Sequence, residues 1–216
     1  MVATITSENT GSNCYLIEEQ KKVLIIDPNQ PDKIFRLLES CGWEPQGILL
    51  THEHFDHIEG LEEIRKKYRI PVTASRSCSE GIQDEKRNLS SIYDMFVWYQ
   101  CGKMWERRHP AFVCGPAENT FEESYEFSWQ GHRFFMKKMP GHSAGSAVIG
   151  MDDGFLFTGD YMIQGAAVIT RFYGGDEKAY RAYTKKYLET IPLGMFIYPG
   201  HGQPYIYTKK RSAYEE

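Results

Sequence analysis

No uncharged apolar run in the 216 residues is long enough to cross a bilayer, which excludes a helical membrane protein. The start, Met1-Val2-Ala3-Thr4-Ile5-Thr6, has neither a basic region nor a sustained apolar run, so it does not read as a secretory leader. Cys14, Cys41, Cys78, Cys101 and Cys114 are odd in number, widely separated and without a CxxC pair. That argues against a disulfide scaffold and for a reducing compartment. An excess of basic charge is missing too: 25 basic residues against 29 acidic give a formal net charge of -4, with no footprint for nucleic acid or an anionic membrane surface. Short fixed-period repeats and low-complexity tracts are absent. Together these absences predict a soluble, cytoplasmic protein that acts on a small molecule, without a nucleic-acid or membrane partner.

What is present is enough apolar material, 41% of the chain, to bury a proper core. One domain over 1–216 is expected, with an aromatic-rich insertion at about 76–116. Ala3 and Ile5, then Asn13-Cys14-Tyr15-Leu16-Ile17, read as strands. A hairpin turn at Glu18 to Lys21 leads to Lys22-Val23-Leu24-Ile25-Ile26-Asp27, an apolar run that ends on a carboxylate. Ile34, Leu37, Leu38 and Cys41 mark one face of a helix stopped by Gly42. Gly47-Ile48-Leu49-Leu50 reads as a buried strand, followed by a helix from Ile58 to Tyr68 and an edge strand at Ile70 to Ala74, where Pro71 lacks a ladder donor. Strands return at Tyr125 to Trp129, Arg133 to Met139, Ala147 to Ile149 and Phe155 to Asp160, and Asp176 is placed to cap a helix before a last strand, Met195 to Tyr198. Strands first, a helix, more strands and a final helix and strand suit two packed sheets with helices outside.

Thr51-His52-Glu53-His54-Phe55-Asp56-His57 carries three imidazoles and a carboxylate where a strand hands over to a helix. Such crowding points to a divalent metal, which is satisfied by neutral imidazole nitrogen and carboxylate oxygen. Three more strand ends offer donors: His142 in Pro140-Gly141-His142, Asp160 in Thr158-Gly159-Asp160, and His201 in Pro199-Gly200-His201-Gly202. His52 and His54 are two residues apart and point the same way if the stretch stays extended, whereas Asp56 and His57 need a change of backbone direction. Two ions bridged by Asp160 use all seven groups and would lower the pKa of a shared water to give a hydroxide nucleophile. Asp27 reads equally as a partner of a ligand imidazole or as a turn residue before Pro28. His109 and His132 read as ordinary surface or core histidines.

These motifs resemble the metallo-β-lactamase fold hydrolases, and the glyoxalase II-like branch in particular, from about Cys14 to Gln203. The resemblance implies an α/β fold, an αββα sandwich of two mixed sheets with helices on the outer faces. It also implies that His52, His54 and His142 hold one metal and Asp56, His57 and His201 the second, with Asp160 as the bridge. Zinc is the expected metal, and iron or manganese would also suit these donors. Asp160 departs from the zinc β-lactamases, which typically place cysteine there, and His54 stands where the flavin-coupled diiron members usually have glutamate. Glyoxalase II enzymes bind glutathione partly through a C-terminal helical domain, whereas this chain ends fourteen residues after Gly202, so hydroxyacylglutathione is not the expected substrate.

The expected reaction is metal-assisted hydrolysis of a small thioester, ester or lactone, with Asp56 ligating, orienting the nucleophile and collecting its proton. Tyr161 or Tyr173 is a candidate donor to the developing oxyanion. Phosphodiester hydrolysis is the main rival and needs cations beside the metals, for which Lys137, Lys138, Arg171 and the Lys103 to Arg108 run are candidates. The same donors would also serve an iron-dependent oxygenase or oxidoreductase, or a non-enzymatic binding protein built on this fold. The apolar segment from Ile92 to Trp105 reads either as a core or homodimer helix, or as a roof that gives the metal site an aromatic wall.

Overall fold

The computed structural model describes residues 1–102 and 109–208. Its first sheet runs in the order β1 (Val2–Thr6), β2 (Asn13–Glu19), β3 (Lys22–Ile26), β4 (Glu44–Leu49), β5 (Val72–Ser75) and β6 (Asn119–Phe121). The first three strands pair antiparallel and the last four, β3 to β6, pair parallel. Gln20 and Lys21 close the β2–β3 hairpin with φ of 52° and 65°. Two consecutive left-handed residues give the turn whose twist matches that of the flanking strands.

The second sheet is ordered β12-β11-β10-β9-β8-β7, from β7 (Ser124–Trp129), β8 (His132–Lys138), β9 (Ala147–Met151), β10 (Phe155–Gly159), β11 (Phe196–Pro199) and β12 (Tyr205–Ile206). Only the β10–β11 pair is parallel, and it carries an irregularity between Phe157 and Gly159. Both sheets are therefore mixed, as expected.

Side-chain alternation assembles the layers. On β2, Cys14 and Leu16 face outward into a core with Ile34 and Leu38 of α1 (Pro31–Cys41) and with Ile58, the last residue of α2 (Phe55–Ile58), and Leu61 and Ile64 of α3 (Leu61–Tyr68). Tyr15 and Ile17, one residue along, face inward to Ile149, Phe157 and Tyr198 of the second sheet. There Tyr15 meets Phe157 edge-on at 5.4 Å and Phe157 stacks on Tyr198 at 4.6 Å. The far face of the second sheet buries Val148, Leu156 and Ile197 against Leu188 and Ile191. Each fully buried side chain of this size contributes about 1.5–3 kcal/mol. The result is helix, sheet, sheet, helix.

Two local expectations change. β5 is not an edge strand, because β4 and β6 flank it. Pro71 sits just before the strand begins, where its missing N–H costs nothing, and its carbonyl accepts from Ile48 N at 2.9 Å. The helix expected from Ile58 to Tyr68 is two helices parted at Gly60. There the chain crosses the Pro28 turn so closely that a Cβ would stand 3.0 Å from Asn29 O. Completing the helices are α4 (Arg76–Gly81), α5 (Tyr93–Cys101), and a last helical stretch made of α6 (Glu177–Ala179), a π turn (Tyr180–Thr184) and α7 (Lys185–Leu188). Asp176 caps that stretch, accepting from Ala179 N at 3.0 Å. No helix among the described residues is long and apolar enough to cross a membrane.

Candidate metal centre

The parallel strands β3 and β4 end side by side, and so do β10 and β11, so the loops after them meet at one edge of the sandwich. Thr51 to His54 leaves β4 extended, and His54, with φ -66° and ψ 144°, caps α2. The backbone turns there, which sends Asp56 and His57 to a different place from His52 and His54. All seven donors expected from sequence come together. Nitrogens of His52, His54 and His142 lie within 4.8 Å of one another, and so do donor atoms of Asp56, His57 and His201. Asp160 stands between the two groups. Its Oδ2 is 3.3 Å from His142 Nε2, and its Oδ1 is 3.3 Å from His57 Nε2 and 3.5 Å from His201 Nε2.

Neighbouring groups hold the outer ring nitrogens of His142, His57 and His52. His142 Nδ1 lies 2.8 Å from Ile169 O, and His142 N donates to the Tyr161 hydroxyl at 2.9 Å. Asp27 accepts from Thr51 N at 2.7 Å and from Thr51 Oγ1 at 2.5 Å, and its Oδ2 lies 3.2 Å from His57 Nδ1. Thr51 Oγ1 in turn lies 3.0 Å from His52 Nδ1. Asp27 is therefore a partner of the ligand imidazoles rather than only a turn residue, and its carboxylate selects the tautomer that leaves Nε2 of His57 pointing inward.

The inward atoms test whether metal fits. His52 Nε2, His54 Nε2, His57 Nε2 and Asp160 Oδ1 are buried and make no hydrogen bond of good geometry, although the last two face each other at 3.3 Å. Each such atom costs about 1–3 kcal/mol if nothing meets it, and a cation between them satisfies those that point inward. Seven imidazole and carboxylate donors in two groups sharing one carboxylate make a site for two divalent ions.

The charge state agrees. Burial, then His142, pushes His54 down to about 3, and burial with the nearby His57 and His54 holds His52 well below the ordinary imidazole range. Neutral imidazole is the form that ligates metal. On the other side burial opposes charge on His57, but Asp56, Asp160 and Asp27 outweigh it and draw the ring well above its usual value. His201 is raised likewise, by Asp160 and Asp56 against burial. Burial disfavours the Asp160 carboxylate, yet His201, His142 and His57 keep it well below the usual range. Negative charge thus gathers around Asp56 and Asp160, where a dication replaces protons.

Packing at the edge is tight enough to depend on Gly200, where a Cβ would fall 2.3 Å from Asp160 Oδ1. Over the centre opens a cavity of about 230 Å³ with His54, Asp56, His142, Asp160 and His201 in its lining. Phe96 of α5 and Phe172 contribute to its wall, and Tyr93 of α5 packs beneath on Phe55 at 4.7 Å. The aromatic segment therefore roofs the site with one face, while Met95 and Trp98 remain exposed on the other. Trp105 and the Lys103 to Arg108 run lie outside the described residues.

Other candidates are placed elsewhere. The Tyr161 hydroxyl donates to Met139 O at 2.6 Å, so this tyrosine braces the His142 loop instead of serving an oxyanion, and Tyr173 is 62% exposed. Lys138 Nζ bonds Ser77 Oγ at 3.0 Å, Lys137 lies over the Tyr187 ring, and Arg171 is not in the cavity lining. Sequence alone does not single out Glu53. It is buried and turns away from the metals to accept from Ser143 Oγ at 2.7 Å and Gly145 N at 3.2 Å, and burial raises its pKa. A charged residue between two ligand histidines, matched by a Gly-Ser loop after His142, was the available signal.

Comparison with known proteins gives the same picture. A sequence profile of the metallo-beta-lactamase superfamily matches residues 8–201. The probable metallo-hydrolase YqgX of Bacillus subtilis is 29% identical over 88% of this chain and 85% of its own length. The hydroxyacylglutathione hydrolase GloC of Haemophilus influenzae is 25% identical over 88% and 85%. Among solved structures, the B3 metallo-beta-lactamase BLEG-1 superposes with a TM-score of 0.80 at 25% identity, covering 95% of this chain and 94% of that one. TTHA1623 in a di-iron-bound form gives 0.68 at 26% identity over 95% and 94%.

Proposed function

The chain belongs to the metallo-beta-lactamase superfamily, and from that membership we propose that it hydrolyses a small thioester, ester or lactone at a pair of divalent ions. His52, His54 and His142 would hold one ion and Asp56, His57 and His201 the other, with Asp160 placed to serve both. The position of Asp160 carries this reading, since its two oxygens are turned to the two imidazole groups. When bound, such a pair of ions supplies a water of lowered pKa and polarises a carbonyl oxygen. The chain's own residues do the rest. Asp27 and Thr51 hold the rings of His57 and His52, and Ile169 O holds His142. Asp56, in the cavity lining, orients the attacking water and takes its proton at Oδ1. Phe55, Phe96 and Phe172 exclude bulk water from the reacting carbonyl.

Relatives named hydroxyacylglutathione hydrolase support carbonyl-thioester chemistry. The chain spans 59% of the length of the Klebsiella pneumoniae relative of that name and 85% of the Haemophilus influenzae one. Phosphodiester hydrolysis is the weaker reading: Lys138 bonds Ser77, Lys137 lies over Tyr187, and among the described residues no lysine or arginine contributes to the cavity lining. Zinc is the metal we infer. The likeness to the di-iron-bound TTHA1623 favours iron as the second reading.

Metal content of protein purified without added metal, followed by thioester, lactone, β-lactam and phosphodiester substrates on the same sample, tests the proposal. About two ions per chain with turnover of a carbonyl substrate supports it. One iron per chain with oxygen consumption sinks it and makes the protein an oxidoreductase.

A further inference from the structure

Apart from the metal-centre side chains, every residue lining the 230 Å³ cavity is apolar. Phe55, Leu89, Phe96 and Phe172 pack together as one part of that lining, and Ile163, Ala166, Ala167 and Ile169 complete it. Among the described residues no lysine, arginine, asparagine, glutamine, serine or threonine contributes to that lining. The polar pole of the cavity is therefore the metal centre, and the other described side chains that line it are hydrocarbon.

From this lining we infer that the substrate is an uncharged acyl derivative whose acyl part is an apolar chain or aryl group, seated between Phe96, Phe172 and Ile163 with its carbonyl toward Asp160. The inference rests on the hydrolase reading of the metal centre and adds to it the chemistry of the acyl group. Three physical points carry it. A carboxylate, phosphate or ammonium on the acyl chain would be desolvated against the buried Phe55 and Leu89, with no counter-charge among the described side chains of the lining, which is unfavourable. A hydroxyl or amide against Phe55 and Leu89 would lose water partners and find no described polar side chain beside it. Hydrocarbon gains from the same burial. Size sets the length. An apolar cavity of about 150 Å³ accepts a benzene ring, so one of about 230 Å³ suits a phenylacetyl group or a straight chain of roughly six to eight carbons.

Hydrolysis of such a thioester joins the oxygen of water to the acyl carbon and breaks the carbon–sulfur bond. One proton of the water, collected by Asp56, passes to the leaving thiolate, and the other is released to solvent as the acid ionises to its carboxylate.

The test uses metal-loaded protein and N-acetylcysteamine thioesters, whose leaving group is uncharged and constant, with acetyl, hexanoyl, phenylacetyl and succinyl as the acyl groups. One methylene in an apolar pocket is worth about tenfold in specificity at the low end. The expected kcat/KM for hexanoyl and phenylacetyl therefore exceeds acetyl by at least about tenfold, and succinyl falls below hexanoyl by roughly a hundredfold. Ala167→Arg, which adds a cation at an exposed position of the lining, should raise the succinyl to hexanoyl ratio by about tenfold or more. Turnover with no acyl preference, or with succinyl preferred, overturns the inference while leaving the hydrolase intact.

A binding measurement separates the two failures. The S-hexyl and S-ethyl thioethers of N-acetylcysteamine, which cannot be hydrolysed, are titrated calorimetrically. Tighter binding of the hexyl compound by about tenfold supports the apolar acyl site even if no thioester turns over, in which case the hydrolase reading alone fails. Equal or undetectable binding of both overturns the acyl site.

Discussion

Asp160 has two oxygens serving two imidazole groups, so its removal should be felt by both ions. Asp160→Ala is expected to bind at most about one ion per chain and to lose three orders of magnitude or more in kcat, about 4 kcal/mol of barrier. Metal analysis alongside kinetics checks this, and retention of two ions would show that the bridge lies elsewhere. Gly200→Ala should act on the same atom from behind, because its Cβ would fall 2.3 Å from Asp160 Oδ1. Loss of metal without loss of the folded circular dichroism spectrum is the expected result. Asp27→Asn tests the outer support. His57 would lose the carboxylate beside Nδ1, and partners of this kind are worth about 10–100-fold in metal affinity. Competition with a chromophoric chelator measures it. These seven donors were legible in the sequence because each is an unusual residue type at the end of an apolar run. Glu53 was not, since nothing in the chain says that a carboxylate between two ligands turns the other way, to Ser143 and Gly145.

At the scale of elements, periodicity located most strands and helices but not which neighbour each would acquire. Pro71 was a sound reason to expect an edge strand, yet the strand begins at Val72 and short β6 pairs along it from forty-odd residues further on. Likewise the apolar count of the segment after Ile92 did not say which face is covered. Tyr93 is 3% exposed, against Phe55 and stacked on His109 at 4.3 Å, whereas Trp98 is 53% exposed. Tyr93→Ala should therefore cost roughly 3–5 kcal/mol, as for other large aromatic truncations in cores. Trp98→Ser should stay within about 0.5 kcal/mol, as for ordinary surface positions. Urea denaturation of both variants makes the comparison. Equal losses would mean that the outer face of α5 is covered in solution, which is what a homodimer through this helix would produce.

Over the whole molecule the metal centre is the place where the two sheets are tied. Thr51 to His57 extends from the first sheet, while His142, Asp160 and His201 follow β8, β10 and β11 of the second. The hydrophobic layer between the sheets, with Tyr15, Phe157 and Tyr198 in it, holds them along their length but does not neutralise the carboxylates at the edge. Without metal, the carboxylates of Asp56 and Asp160 face His57 and His201, whose rings they draw above the usual imidazole range, and several inward atoms lack partners. Stability should then depend on metal by mass action. At a free metal concentration about a thousand times the dissociation constant, binding adds roughly 4 kcal/mol, and in a chain of this size each kcal/mol moves Tm by about 2–4 °C. Calorimetric scans with and without a chelator should therefore differ by roughly 8–16 °C, with the metal-free protein lower and the difference growing with metal concentration. An unchanged Tm would mean that the donors do not hold ions strongly enough to join the sheets.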